Sequence, residues 1–81
     1  MWDPRALDAL GQLAEHMPAA ARDALKAMER MASTGFNYGR LTSKGILWYL
    51  PTPKLGLFYL DDGRTLIAVD AVDARRLRRL P

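Results

Sequence analysis

The fold is decided by residues 45–72, which read GILWYLPTPKLGLFYLDDGRTLIAVDAV. Three short runs rich in β-branched and aromatic side chains lie in this stretch, separated by turn-forming segments at 51–54 and 61–64. Runs of this composition bounded by Pro, Gly and Asp are typical of β-strands joined by tight turns. The stretch therefore predicts a three-stranded antiparallel sheet, with strands at about 46–50, 55–60 and 65–71.

Two helices are predicted before the sheet, at about 4–17 and 19–33. Asp3-Pro4 is a helix start, because the Asp side chain can accept hydrogen bonds from the first turn and Pro at the first position loses none. Apolar residues then recur at helical spacing as far as Pro18, which ends the first helix and opens the second. The short connection predicts an antiparallel helical hairpin laid on one face of the sheet.

The remaining segments are a loop at 35–45 and a short helix at about 73–80. A loop of about ten residues is near the upper limit for an unstructured connection, so we expect it to contain a short strand or to carry function. Asp73 can cap the terminal helix, whose cluster of arginines suits phosphates or an acidic protein surface; a solvated chain end is the alternative. The chain is thus predicted as a single α+β domain, residues 1–81.

Composition and motifs give little support for catalysis. The 81 residues contain no Cys, which excludes a disulfide framework and fits a reducing cytosol, and His16 is the single histidine. No apolar run approaches the roughly 18 residues that span a bilayer, and no signal-peptide pattern is present. Asp61 and Asp62 precede Gly63 in a hairpin turn, which explains them without a reaction. We therefore expect a cytoplasmic protein with no catalytic residue, metal or cofactor, although enzyme activity is left open.

Both faces of the predicted sheet are apolar. Alternation along the strands places Trp48 and Tyr49 on opposite faces, and likewise Tyr59 and Phe58. A sheet that is apolar on both faces must be covered twice, and the helical hairpin covers one face. The segment after Asp70 is too short to cover the other. We therefore expect another chain to share the task, either a second copy or a different protein.

The predicted site is a protein-binding surface within and beside the sheet. Residues 35–60 carry three basic and no acidic groups, within a net charge of +3. Basic groups interleaved with aromatics can suit nucleic acid, but aromatics of a small sheet are more often core and interface residues. We predict an apolar platform surrounded by a basic rim. The platform is Trp48, Tyr49, Phe58 and Tyr59, and the rim is Arg40, Lys44, Lys54, Arg64, Arg75 and Arg76.

Four short segments recur in an order that resembles the toxins of the ParE/RelE superfamily. They are a PRAL…L helix start in 3–10, an A-E-x-x-P-x-A-A helix junction in 13–22, a hairpin ending in D-D-G in 50–63, and an A-R after the final strand in 69–75. The ParE branch is the more similar one. The resemblance implies a helical hairpin packed on an antiparallel sheet, an antitoxin that wraps the toxin, and poisoning of DNA gyrase.

Two features depart from that family. Only Met1-Trp2 precede the first helix where the family has a longer strand, so one sheet edge is shortened and open to another chain. The nuclease members use basic residues with a Tyr or His near the last strand, where this chain has Val72 and Asp73. The favoured hypothesis is therefore a toxin that binds a gyrase-type protein target. The alternatives are a non-toxic, phage- or mobile-element-borne inhibitor or adaptor, and a ribosome-dependent mRNA endonuclease.

Overall fold

The structure, a computed structural model, describes residues 1–77, so the end of the predicted terminal helix, at 78–80, lies outside the described residues. The strands form one sheet in the order β1-β2-β3-β4, and each neighbouring pair is antiparallel. The prediction of an α+β fold with an N-terminal helical hairpin on an antiparallel sheet is confirmed, with a fourth, two-residue strand inside the loop 35–45. The elements are α1 (Pro4–Ala14), α2 (Pro18–Thr34), β1 (Arg40–Leu41), β2 (Trp48–Pro51), β3 (Leu55–Asp61), β4 (Leu66–Asp73) and a single 3₁₀ turn (Ala74–Arg76).

Local sequence sets both ends of the helices. The Asp3 Oδ1 atom accepts a hydrogen bond from the Arg5 N–H at 2.9 Å, with Pro at the first helical position. Helix α1 ends at Ala14, three residues earlier than predicted. Met17, the residue before Pro18, adopts φ −138°, outside the helical region. Helix α2 ends at Gly35, whose φ of +70° is the left-handed conformation that glycine adopts readily.

The core lies between the two helices and one face of the sheet. Small residues, among them Ala6 and Ala24 with no exposed surface, bring the helices close to the strands. The larger core side chains come from alternate positions of β3 and from α2, and they too are almost completely inaccessible to solvent. These side chains are Met28, Met31, Leu55, Leu57 and Tyr59.

A polar network fixes the loop before β1 to the sheet. The buried Tyr59 hydroxyl donates to the Asn37 side-chain oxygen, and the Asn37 amide donates to Asp61 Oδ2 at 2.9 Å. The Gly39 N–H donates to the same Asn37 oxygen at 2.9 Å. Burial raises the pKa of Tyr59 to about 12, so this hydroxyl stays protonated as a donor at neutral pH. The loop that carries β1 is therefore held by these side chains in addition to the pairing of β1 with β2.

The outer edge of β4 is partly closed by the first residues of the chain. Trp2 forms a parallel bridge with Ala68, in which the Ala68 N–H donates to the Met1 oxygen and the Asp3 N–H donates to the Ala68 oxygen, each at 2.9 Å. The pairing of β3 with β4 shifts between Phe58 and Tyr59, which leaves Val69 as an extra residue in β4. No helix within residues 1–77 is long and apolar enough to cross a membrane.

Candidate functional site

The sheet has one apolar face that the helices do not cover, and we call it the far face. Its side chains stand at the strand positions that alternate with the core positions, and they do not belong to the cluster that packs under the helices. All of them except Tyr49 keep part of their surface exposed. The far face therefore offers apolar area for a partner. Its apolar side chains are Leu47, Tyr49, Phe58, Leu60, Ile67, Val69 and Val72.

Tyr49 lies flat against the far face because the neighbouring strand has a glycine beside it. A Cβ atom built on Gly56 would lie 2.6 Å from Tyr49 Cζ and closer still to the Cε1 and Oη atoms. The Phe58 ring packs beside Tyr49, with ring centroids 5.1 Å apart. Tyr49 is consequently only 1% exposed, and burial raises the pKa of its hydroxyl, an effect that the Arg40 charge opposes. Tyr49 and Phe58 therefore form the centre of the far face, where the Tyr49 ring lies close to the backbone of the sheet.

Four residues form a transverse row across all four strands of the far face. Arg40 of β1 pairs with Tyr49 of β2, Tyr49 with Phe58 of β3, and Phe58 with Asp70 of β4. At a bulge, the extra residue and the one that follows it point to the same face. The Val69 and Asp70 side chains therefore both lie opposite Phe58 on the far face. The row thus has a cation at one margin, two aromatics in the middle and an anion at the other margin.

A shallow depression lies on the far face between the β1–β2 turn and β4. Thr42 is the one buried polar residue there, at 7% exposure, and its hydroxyl accepts from the Lys44 N–H at 3.3 Å. Lys44 lines the depression opposite Asp70 without forming an ion pair to it. The lining combines these groups with apolar side chains of the far face and comprises Thr42, Ser43, Lys44, Leu47, Phe58, Val69 and Asp70.

The predicted aromatic platform is divided between the two faces of the sheet. Trp48 and Tyr59 lie on the helix side, where their rings stack with centroids 6.4 Å apart. Tyr59 has no exposed surface, so it belongs to the core and cannot touch a partner. Tyr49 and Phe58 lie on the far face. The accessible part of the platform is therefore Phe58 and the aliphatic residues around it, which the prediction did not name.

The predicted basic rim is spread over three parts of the molecule. Arg40 and Lys44 border the far face, whereas Arg64 lies in the β3–β4 turn. Lys54, in the β2–β3 turn, accepts a hydrogen bond on its backbone oxygen from the Ala74 N–H at 3.0 Å, next to Arg75 and Arg76. Arg40 and Lys44 are thus the members of the rim that can act together with the apolar platform.

Arg75 is held by an ion pair beside the 3₁₀ turn. Its Nη2 and Nε atoms donate to the Asp73 carboxylate at 2.9 and 3.0 Å. These hydrogen bonds hold the pKa of Asp73 down at about 2. Arg64 lies at the other end of β4, a strand of eight residues, or roughly 26 Å at the usual rise. The two arginines therefore do not converge on a single phosphate.

Sequence reasoning missed two residues that organise the site. Asp70 is a charged residue in the middle of the apolar run IAVDAV, and a charge at that place indicates a solvent-exposed position. Asn37 was part of a loop of polar residues, and nothing in the sequence connects it with Tyr59 or Asp61. Neither the register of β4 nor the path of the loop can be obtained from local pattern alone.

The single histidine, His16, lines a depression together with Glu15, Arg75 and Arg76. His16, at the end of α1, is exposed. Within residues 1–77 no group of three His, Asp or Glu side chains is arranged to hold a metal ion. The far face has apolar side chains in the centre and single charges at the margins, an arrangement that is common in protein interfaces.

These features define a two-layer α+β domain with a helical hairpin on one sheet face and the other face open. Comparison of the chain with protein-family models, with curated proteins and with solved structures finds no significant match.

Proposed function

We propose that this protein is a ParE/RelE-like, toxin-type protein that acts by binding a protein target through the far face. DNA gyrase is the favoured target, and a cognate antitoxin neutralises the protein by covering the same surface. The observation that carries the proposal is the uncovered apolar far face. The sequence motifs that resemble the superfamily support it, together with the order of two helices followed by an antiparallel sheet.

The composition of the far face suits protein recognition better than solvent exposure. A sheet with one solvated face normally carries polar residues at the outward positions. Here Phe58, Leu60 and Ile67 occupy those positions, and each keeps part of its surface accessible. Aromatic and aliphatic side chains surrounded by arginine are typical of the centre of protein interfaces. A partner that covers this face gains burial of apolar surface at about 25 cal/mol per Å² before the costs of association.

The arrangement of arginines favours binding over RNA cleavage. Stabilisation of a cleaved phosphate requires charged groups aimed at one place. Arg64 and Arg75 are separated by the length of β4, and Arg75 is engaged by Asp73. His16 and Glu15 line a depression beside Arg75 and Arg76, but Arg64 is not among the residues of that depression. The buried Tyr59 hydroxyl has a pKa of about 12. The two arginines that the nuclease alternative invokes therefore do not act on one phosphate.

The test combines inducible expression in bacteria with a gyrase supercoiling assay on the purified protein. We expect the wild-type protein to slow growth and to inhibit supercoiling. Ile67→Lys, in the far face, should lose both effects, because it puts a charge into the apolar contact. Leu7→Lys is the matched control, since Leu7 lies on α1 and is already 49% exposed. Circular dichroism of both variants establishes that they are folded.

Three results would contradict the proposal in different ways. Wild-type protein that affects neither growth nor supercoiling would remove the toxin function, and a partner recovered by pull-down in that case would favour the adaptor alternative. Growth inhibition with cuts in translated messages would favour the nuclease alternative. Equal loss of activity in Leu7→Lys and Ile67→Lys would show that the far face is not the surface through which the target is bound.

A further inference from the structure

We propose that the far face is also a self-association surface, on which a second copy of this chain packs face to face about a two-fold axis parallel to the strands. The proposal derives from the transverse row of Arg40, Tyr49, Phe58 and Asp70. It requires the far face to be uncovered in the protomer and does not require any toxin activity. It adds a defined occupant and a defined geometry to that surface.

The order of charges along the row selects the axis. A two-fold axis parallel to the strands, placed between the Tyr49 and Phe58 positions, carries β1 of one copy over β4 of the other. Arg40 of each copy then faces Asp70 of the other, and Phe58 of each copy faces the Tyr49 position of the other. An axis in the plane of the sheet at right angles to the strands would instead place Arg40 of one copy over Arg40 of the other. Repulsion between these like charges disfavours that arrangement. Face-to-face packing with nearly aligned strands is the usual arrangement of two sheets, which lie about 10 Å apart.

Among residues 1–77, neither charge of the row has an ionic partner in its own protomer. Three strand spacings separate Arg40 from Asp70, or about 14 Å, which is too far for a direct pair. The ion pair of the described residues is Arg75 with Asp73. Asp70 Oδ1 accepts a hydrogen bond from the Ala71 N–H at 2.8 Å, and Oδ2 has no partner in the described part of the chain, so that it can face a cation. A two-fold arrangement satisfies both margins at once.

The area of the face sets the expected affinity. The four strands have 2, 4, 7 and 8 residues, which at about 3.3 Å per residue and about 4.8 Å between strands give a plan area of roughly 330 Å² per copy. The two copies together would cover roughly 700 Å² in plan, which is below the about 1,000 Å² of a stable specific interface and belongs to weak, transient contacts. We therefore expect a reversible dimer that forms in the micromolar range and dissociates on dilution. Such a dimer hides the far face from any other partner until it dissociates.

Charge reversal provides a direct test, because it can break the contact and then restore it. Arg40→Asp alone places Asp70 opposite a second acid, and Asp70→Arg alone places Arg40 opposite a second base. The double variant restores opposite charges across the axis. The matched controls are Arg22→Asp, Asp23→Arg and their double variant, since both residues are exposed on α2, in the layer on the other side of the sheet.

The measurement is analytical ultracentrifugation from about 5 to 500 μM, in which a chain of 9.1 kDa becomes a species of twice that mass. We expect each single reversal at the row to weaken the dimer by about tenfold or more, since two contacts per dimer change from attractive to repulsive. The double reversal should return the dissociation constant to within about threefold of the wild-type value. The controls should leave it unchanged.

The proposal is overturned if the wild-type protein is a monomer over the whole range, if single reversals have no effect, or if the double reversal fails to restore the dimer. Rescue is decisive because Arg40 and Asp70 are too far apart to pair within one chain. If an Asp or Arg substitution prevents folding by circular dichroism, Arg40→Glu with Asp70→Lys makes the same comparison. Failure here would leave the growth and supercoiling test untouched, because that test uses a different partner and a different readout.

Discussion

Gly56 allows the Tyr49 ring to lie close to the sheet at the centre of the far face, and Gly56→Ala is the substitution that tests this. Tyr49 lies across Gly56 with only 1% of its surface exposed. A Cβ atom at position 56 would be 2.6 Å from Tyr49 Cζ, whereas carbon atoms pack at about 3.5–4.0 Å. The ring must therefore move by about 1 Å or more, against the neighbouring Phe58 ring.

The size of the effect follows from two opposing contributions. Overpacking of a closely packed site costs about 1–3 kcal/mol. Gly56 does not have a positive φ, so the alanine also gains about 0.4–1 kcal/mol by restricting the unfolded chain. The net destabilisation should be about 1–2 kcal/mol. For a domain of this length, that corresponds to a Tm lowered by roughly 4–16 °C.

Gly11→Ala is the matched control, because the same substitution should have the opposite sign there. Gly11 lies within α1, and a Cβ atom built on it has no heavy atom within 4 Å. Alanine in a helix interior is favoured over glycine by about 0.5–1 kcal/mol. Urea denaturation followed by circular dichroism gives both free energies of unfolding from the same wild-type reference.

A double variant identifies the contact responsible. Tyr49→Val removes the ring atoms that the new Cβ would meet, so Gly56→Ala should cost much less in that background than alone. The reasoning is refuted if Gly56→Ala is as stable as the wild type or more stable, in line with Gly11→Ala. It is also refuted if the cost of Gly56→Ala is unchanged when Tyr49 is replaced by valine.

Two further predictions concern pH. The pKa of Tyr59 is raised to about 12, so its contribution to stability is complete below pH 10 and is lost as the pH rises to 12. Between pH 10 and 12 the free energy of unfolding should fall more steeply in the wild type than in Tyr59→Phe. Equal slopes for the two proteins would contradict this prediction. The pKa of Asp73 is lowered to about 2 by the hydrogen bonds from Arg75, so its contribution to stability is present above pH 4 and is lost as the pH falls through 2. The urea midpoint of Asp73→Asn should therefore lie below that of the wild type at pH 5, and the two midpoints should converge towards pH 2. A constant difference between the midpoints would argue against the ion pair.

The sequence was sufficient for the features that depend on near neighbours. Asp3 and Pro4 start α1, Pro18 opens α2 and Gly35 ends it, because each acts through local backbone chemistry. Alternation along the strands correctly separated Trp48 from Tyr49. The same alternation also implies that a platform containing both residues cannot be one surface, and the structure places them on opposite faces.

The features that depend on register could not be obtained in this way. Whether Asp70 shares a row with Phe58 depends on the extra residue in β4, and nothing local in IAVDAV marks which residue is extra. The two-residue strand β1 is fixed by contacts that Asn37 makes with Tyr59 and Asp61, more than 20 positions away. A loop whose order comes from such contacts has no periodic signal.

The edges of the sheet help to explain why association is expected through a face. On β4, Met1 and Asp3 occupy the backbone groups of Ala68, and the Asp70 side chain accepts from the next outward N–H, that of Ala71. At the other side β1 has two residues, and Pro51 of β2 has no N–H to offer. Short edges, bulges and proline are features that prevent strand addition. Since the edges offer few free donors within residues 1–77 and the far face keeps its aromatic and aliphatic surface accessible, we expect a partner to be bound through side chains. Substitutions that change charge or volume on the far face should therefore weaken binding of a partner. Leu41→Pro, which removes a backbone N–H at the β1 edge, should leave that binding unchanged where the fold is retained.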